Sequence, residues 1–130
     1  MACLETTFLI DLLRGEKRIE KMHEELNRTE TTFSIAAPSV MELWTGANLS
    51  NLPQKEKEKI NELISSFVVL HLKENSAKEA GDIESELIRK GQNIEIEDIM
   101  IAAIAKVNDE KLVTRDEHYA RIPGLKMLKY

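Results

Sequence analysis

Short apolar runs alternate along this chain with longer stretches patterned at helical spacing, and that alternation restricts the fold more than any other feature. Ala2-Cys3-Leu4, Phe33-Ser34-Ile35-Ala36, Phe67-Val68-Val69-Leu70, Lys111-Leu112-Val113-Thr114 and Lys126-Met127-Leu128 read as strands, and Phe67–Leu70 is the clearest of them. After the first run, Phe8, Leu9, Leu12 and Leu13 form one apolar stripe, with Thr6 or Thr7 as its cap and Gly15 as its break. Ile19, Met22 and Leu26 predict a second helix from Glu16 to Asn27. Pro38 and Pro53 each suit the first turn of a helix, where a missing N–H costs nothing. Asn75 or Ser76 is expected to cap a further helix through Leu87 and Ile88, stopped at Lys90-Gly91. The segment from Ile96 to Val107 is apolar on nearly every side between Ile99 and Ala105, which predicts a helix in the middle of the fold. Strands separated by helices point to an α/β fold with a central, mainly parallel sheet flanked by helices.

Composition narrows the class. At 130 residues, 42% hydrophobic and 32% charged, the chain is expected to be one globular domain spanning residues 1–130. No long apolar run predicts a membrane span. An early Glu5 without a basic lead-in argues against a secretory signal, and Cys3 alone makes no internal disulfide, so a cytoplasmic location is expected. The net charge of −5, from 18 basic and 23 acidic residues, argues against gripping nucleic acid by bulk electrostatics. It leaves open a nuclease whose acids surround a bound cation.

The acids fall where such a site is built. In open α/β sheets the binding crevice lies beyond the carboxyl ends of the strands. Glu5 follows the first strand, Glu42 lies about one turn past Pro38, Asp98 precedes the apolar helix, and Asp116 follows the Leu112–Thr114 run. Gathered carboxylates repel, and burying them unpaired is costly, unless protons or a divalent cation sit among them. Oxygen donors of this kind suit Mg²⁺ or Mn²⁺, and such a site serves phosphodiester hydrolysis. Taken singly, each acid also has a plainer role: Asp98 at a helix N-terminus, Glu42 facing solvent, Asp116 capping the short turn from Glu117 to Arg121.

Four stretches at these same positions resemble the motifs of PIN domains, and in particular of VapC toxins of type II toxin–antitoxin systems. They are Leu4-Glu5-Thr6-Thr7-Phe8-Leu9-Ile10-Asp11-Leu12-Leu13-Arg14-Gly15, Pro38 to Ala47 around Glu42, Ile94 to Ala103 around Asp98, and Leu112-Val113-Thr114-Arg115-Asp116 continuing to Leu125. The resemblance runs in the family's order along almost the whole chain. It implies a three-layer PIN-like fold and an endoribonuclease that uses Mg²⁺ or Mn²⁺ held by Glu5, Glu42, Asp98 and Asp116. It implies supporting roles for Thr6 and Thr114 beside those acids, a homodimer, and a VapB-like antitoxin covering the site. Arg14 and Arg115 are candidates for contacts to RNA phosphates or to the antitoxin, with Lys17 and Arg18 nearby.

One residue departs from the pattern. The family has Asp where this chain has Glu5, so the charge is kept on a longer arm. Octahedral magnesium, with oxygens at about 2.0–2.1 Å, tolerates such a shift poorly. The departure implies weakened metal binding, and an alternative function follows: a PIN domain that binds RNA or a protein without cutting.

The other chemistry-bearing residues receive structural expectations. Asp11 is expected at the rim or in a structural role. His23, His71 and His118 show no metal-ligand spacing and are expected on the surface or in packing. Trp44 is expected in the core or a dimer contact, and Lys55-Glu56-Lys57-Glu58-Lys59 on an exposed helix. Leu49, Leu52, Ile60 and Leu63 form an apolar group that is either core or interface. A phosphoacceptor receiver domain fails, because the third strand ends in Leu70-His71-Leu72-Lys73 without the required Asp.

Overall fold

The computed structural model describes residues 1–29 and 32–130. Among these, the order is β1 (Ala2–Leu4), α1 (Thr6–Leu13), α2 (Lys17–Thr29), β2 (Phe33–Ala36), α3 (Ala37–Asn48), α4 (Pro53–Ile64), β3 (Val68–Leu70), α5 (Glu74–Lys90), α6 (Ile96–Val107), β4 (Lys111–Thr114) and β5 (Met127–Lys129), with a 3-10 turn at Glu117–Arg121. The strands form one five-stranded sheet in the order β3-β2-β1-β4-β5. Every pairing is parallel. This is the α/β architecture expected from the sequence.

Strand alternation builds two cores from one sheet. Ala2, Leu4, Phe33, Ile35 and Val113 face one layer, where they pack on Phe8, Leu9, Ile19, Leu26, Leu43, Ala47 and Ile60 of the first four helices. Cys3, Ala36 and Leu112 face the other layer and meet Ile83, Leu87 and the apolar side chains of α6. Ile99 and the whole run Ile101–Ala105 are buried, which is why α6 carries almost no polar residue there.

The strand order also fixes where a site can form. The chain moves from β1 outward to β2 and β3, then returns through α5 and α6 to β4 on the opposite side of β1. The order therefore reverses between β1 and β4, and such a switch point opens a crevice beyond the strand ends. Glu5 and the 114–116 segment lie at that point. The packing of α3 against α6 brings the second and third acid-bearing helices close to each other.

Two local expectations change, and one strand takes a place the sequence does not specify. Glu5 itself, in an extended conformation with φ −78° and ψ 161°, caps α1, so Thr6 and Thr7 lie inside the helix. Lys73 occupies the N-cap of α5, and the Ser76 hydroxyl accepts from the Lys73 N–H at 2.7 Å. The strand read most clearly from its apolar run, β3, is the sheet edge, with Val68 46% exposed. The expected stop at Lys90-Gly91 holds, because Gly91 adopts a φ of +67° that a side chain would resist.

Candidate metal centre

The crevice is built from the end of β1. Glu5 is 2% exposed, and its carboxylate Oε2 accepts the Thr7 N–H at 2.7 Å, the Thr7 hydroxyl and the Thr114 hydroxyl at 3.0 Å. Its other oxygen, Oε1, accepts the Tyr119 hydroxyl at 3.2 Å. The same hydroxyl lies 3.1 Å from Asp98 Oδ1, so a fully buried phenol joins the first acid to the third.

Glu42 comes from α3. The Thr6 hydroxyl donates to Glu42 Oε1 at 2.7 Å and lies 2.9 Å from the buried Ser39 hydroxyl. Thr6 thus orients Glu42, while Thr114 orients Glu5. Burial raises the pKa of Glu42, with the Thr6 bond opposing and the charges of Glu5 and Glu97 adding to the rise.

Asp98 stands in the first turn of α6. Its carboxyl is pushed up from 3.8 to about 6, first by burial and then by the charges of Glu42, Glu5 and Asp116, against the lowering effect of the Tyr119 bond. Asp116 follows β4 and caps the 3-10 turn by accepting the His118 N–H at 2.9 Å. The plain capping role expected for Asp116 is therefore present.

Donor atoms of Asp98, Asp116 and His118 all lie within 4.8 Å of one another, a spacing that suits a shared cation. His118 was expected on the surface or in packing. It is exposed, yet its Nδ1 lies 3.1 Å from Asp116 Oδ1 at the mouth of the crevice. Sequence spacing could not reveal it, because its acidic partner Asp98 belongs to a different helix. Glu5 and Glu42 are outside this tight group: Glu5 is linked to it through Tyr119, and Glu42 by proximity of charge to Asp98. The donor set, four carboxylates and one imidazole, fits a hard divalent cation.

The profile of the PIN domain family matches residues 2–125. The chain belongs to the PIN-domain family. Within it the chain falls with VapC proteins, being 31% identical over 109 residues to the tRNA(fMet)-specific endonuclease VapC of Salmonella typhimurium, 83% of each chain. The DNA-bound VapBC structure from Salmonella typhimurium superposes with a TM-score of 0.89 at 27% identity, covering 99% of this chain and 98% of the other. VapBC2 from Rickettsia felis, bound to a promoter DNA fragment, gives a TM-score of 0.91 at 22% identity over 100% of this chain and 99% of that one, a likeness of fold.

Around the crevice of this PIN domain, the two candidate arginines differ. Arg115 donates from Nε to the buried Asp11 at 3.0 Å, and Tyr130 donates to the same Asp11 oxygen, also at 3.0 Å. Asp11 thereby holds structure at the rim, as expected. Arg115 also lines a recess with Asp116 and His118. Arg14 is exposed and lines a separate groove with Glu42, Ser50 and Lys59. His23 packs among Phe8, Phe33 and Phe67, and His71 is exposed. Trp44 is half-buried, with the Lys57 ammonium 5.3 Å from its ring centre. The Leu49 group splits: Ile60 is core, Leu63 is partly buried, and Leu49 and Leu52 are 83% and 59% exposed.

Proposed function

We propose that this chain is a metal-dependent endoribonuclease, the toxin of a VapBC-type toxin–antitoxin pair, using Mg²⁺ or Mn²⁺ to hydrolyse RNA phosphodiester bonds in the cytoplasm. The carrying observation is the convergence of Asp98 and Asp116, with Glu5 and Glu42 beside them, at the switch point of a parallel sheet. Four carboxylates from separated segments are tolerated there because a divalent cation offsets their repulsion. Among the described residues no helix is long and apolar enough to cross a membrane.

When bound, the cation supplies polarisation of the phosphodiester and a lowered pKa for attacking water. Asp98 and Asp116 offer oxygen donors within 4.8 Å of each other, and His118 offers a nitrogen to the same space. Glu42, oriented by Thr6, and Glu5, oriented by Thr7 and Thr114, complete the acidic wall. Arg14 and Arg115 flank this wall and suit the phosphates of RNA or the acids of a covering VapB-like antitoxin. Exposed Leu49, Leu52 and Met41 support a homodimer contact.

A second reading keeps the fold but not the cutting, and one observation favours it. Both Glu5 oxygens already accept internal hydrogen bonds, and Glu5 is outside the tight donor group. A single experiment separates the two. Purified chain is incubated with Mn²⁺ and a panel of structured RNAs, with initiator tRNA included because the Salmonella relative carries its name. Cleavage that chelator and Asp98→Asn both abolish supports the nuclease. Cleavage surviving either refutes the metal mechanism, and RNA retention without cleavage supports the binding module.

A further inference from the structure

A buried phenol needs a partner for its O–H, and Tyr119 is fully buried. Its two polar partners are both carboxylates, Glu5 Oε1 at 3.2 Å and Asp98 Oδ1 at 3.1 Å. One hydroxyl supplies one hydrogen, so the phenol stands between two acceptors that compete for it. Burial, then the charges of Glu5 and Asp98, push its ionisation far above the ordinary range, and it remains a donor.

The length of Glu5 decides what this contact does. Oε2 is tied to Thr7 at the start of α1 and to Thr114 at the end of β4, which fixes one end of the carboxylate. Oε1 then reaches toward the 3-10 turn, where Tyr119 waits. Removing one carbon shortens the arm by a C–C bond of about 1.5 Å. With its helix-capping bond kept, the shorter acid is expected to lose the 3.2 Å contact to the phenol.

We propose that Tyr119 is the positioning residue matched to glutamate at position 5, its hydroxyl holding the long carboxylate beside Asp98 so that the acidic site accepts a divalent cation. The inference rests on the metal-nuclease reading, but it concerns residues whose coupling is measurable without metal. It also gives the departure at position 5 a compensating partner inside the same chain, 114 residues away.

The test is a double-mutant cycle of Glu5→Asp and Tyr119→Phe in the full chain. Phenylalanine keeps the buried ring and removes only the hydroxyl, so the variant retains its packing. Mn²⁺ affinity by calorimetry is expected to fall about tenfold for Y119F with Glu5 present, or roughly 1.4 kcal/mol. In the E5D background the same change is expected to cost less than about threefold. Cleavage is expected to lose kcat while the KM for RNA stays put, the pattern of a group acting on the chemistry. Equal losses in both backgrounds, or none in either, overturn the proposal, since a core tyrosine would behave that way.

Urea unfolding of the chelated proteins separates this idea from the function it rests on. Coupling between the two substitutions with no Mn²⁺ binding by the wild type leaves the pair as a structural contact and overturns both the metal reading and the positioning role. Intact Mn²⁺ binding with no coupling in either assay removes the Tyr119 proposal and leaves the nuclease standing.

Discussion

Replacing Asp98 by Asn removes a carboxylate that the fold half-buries among three other acids, so the metal-free protein should become more stable as it becomes inactive. The Asp98 carboxyl moves from 3.8 to about 6. That rise is roughly two pH units, a ceiling of about 3 kcal/mol. The side chain keeps contact with solvent, so screening reduces the expected gain to about 1 kcal/mol. The sign follows from proton counting. Between the two pKa values the folded state holds a proton that the unfolded chain has released, so stability falls as pH rises. The penalty is complete above about pH 6 and absent below the unfolded value of 3.8. Urea unfolding in chelator should therefore favour D98N near neutral pH and show no difference at about pH 4. With Mn²⁺ at about a hundred times its Kd, the wild type gains about 2.7 kcal/mol and the order reverses. A destabilised D98N near neutral pH, or an offset that does not change with pH, would refute the claim that burial and crowding of charge set this carboxyl.

Other outcomes follow from the same geometry. His118→Ala should weaken Mn²⁺ binding about tenfold and Mg²⁺ binding much less, because an imidazole donor suits manganese better than magnesium; equal losses by calorimetry would place His118 outside the ligand set. RNA cleavage should rise as pH passes about 6, where Asp98 releases its proton, with Glu42 shifting the profile in the same direction; single-turnover rates across that range check it. Ile104→Ala, in the fully buried centre of α6, should cost about 2–5 kcal/mol in thermal unfolding while leaving cleavage per folded molecule intact.

The elements were legible wherever a segment's own composition decides its structure. The boundaries of α6, Ile96–Val107, follow from a run that only a central helix can bury. The place of β3 was not legible, because an apolar run does not reveal whether it pairs on one side or two. The cap of α1 is not legible for a similar reason: Thr outranks Glu as a cap in general, but the extended backbone at Glu5 and the nearby Thr7 N–H decide it here. The four candidate acids are legible because each lies beside a strand or helix end, and the fold places Asp98 and Asp116 together with Glu5 and Glu42 near them. The contacts of Tyr119 and His118 are not legible, since Asp98 in α6 and Glu5 just after β1 meet them only through the fold.

The energetics of Asp98 separate a site from a capping position. A helix N-terminus typically stabilises a nearby carboxylate by about 0.3–1 kcal/mol and so lowers its pKa. Asp98 stands in the first turn of α6, yet its carboxyl is raised. Desolvation and the neighbouring acids therefore outweigh the Tyr119 bond. An acid placed only to cap α6 would be expected to shift down, toward the charged form. Instead the apolar length of α6, which must lie under the sheet, draws its own N-terminus and Asp98 into the crevice where Glu5 and Asp116 follow their strands. The same packing that secures the core concentrates negative charge at one point. A bound divalent cation turns that concentration from a cost into a stabilising contact, which is why the stability reversal of D98N on adding Mn²⁺ bears directly on the function.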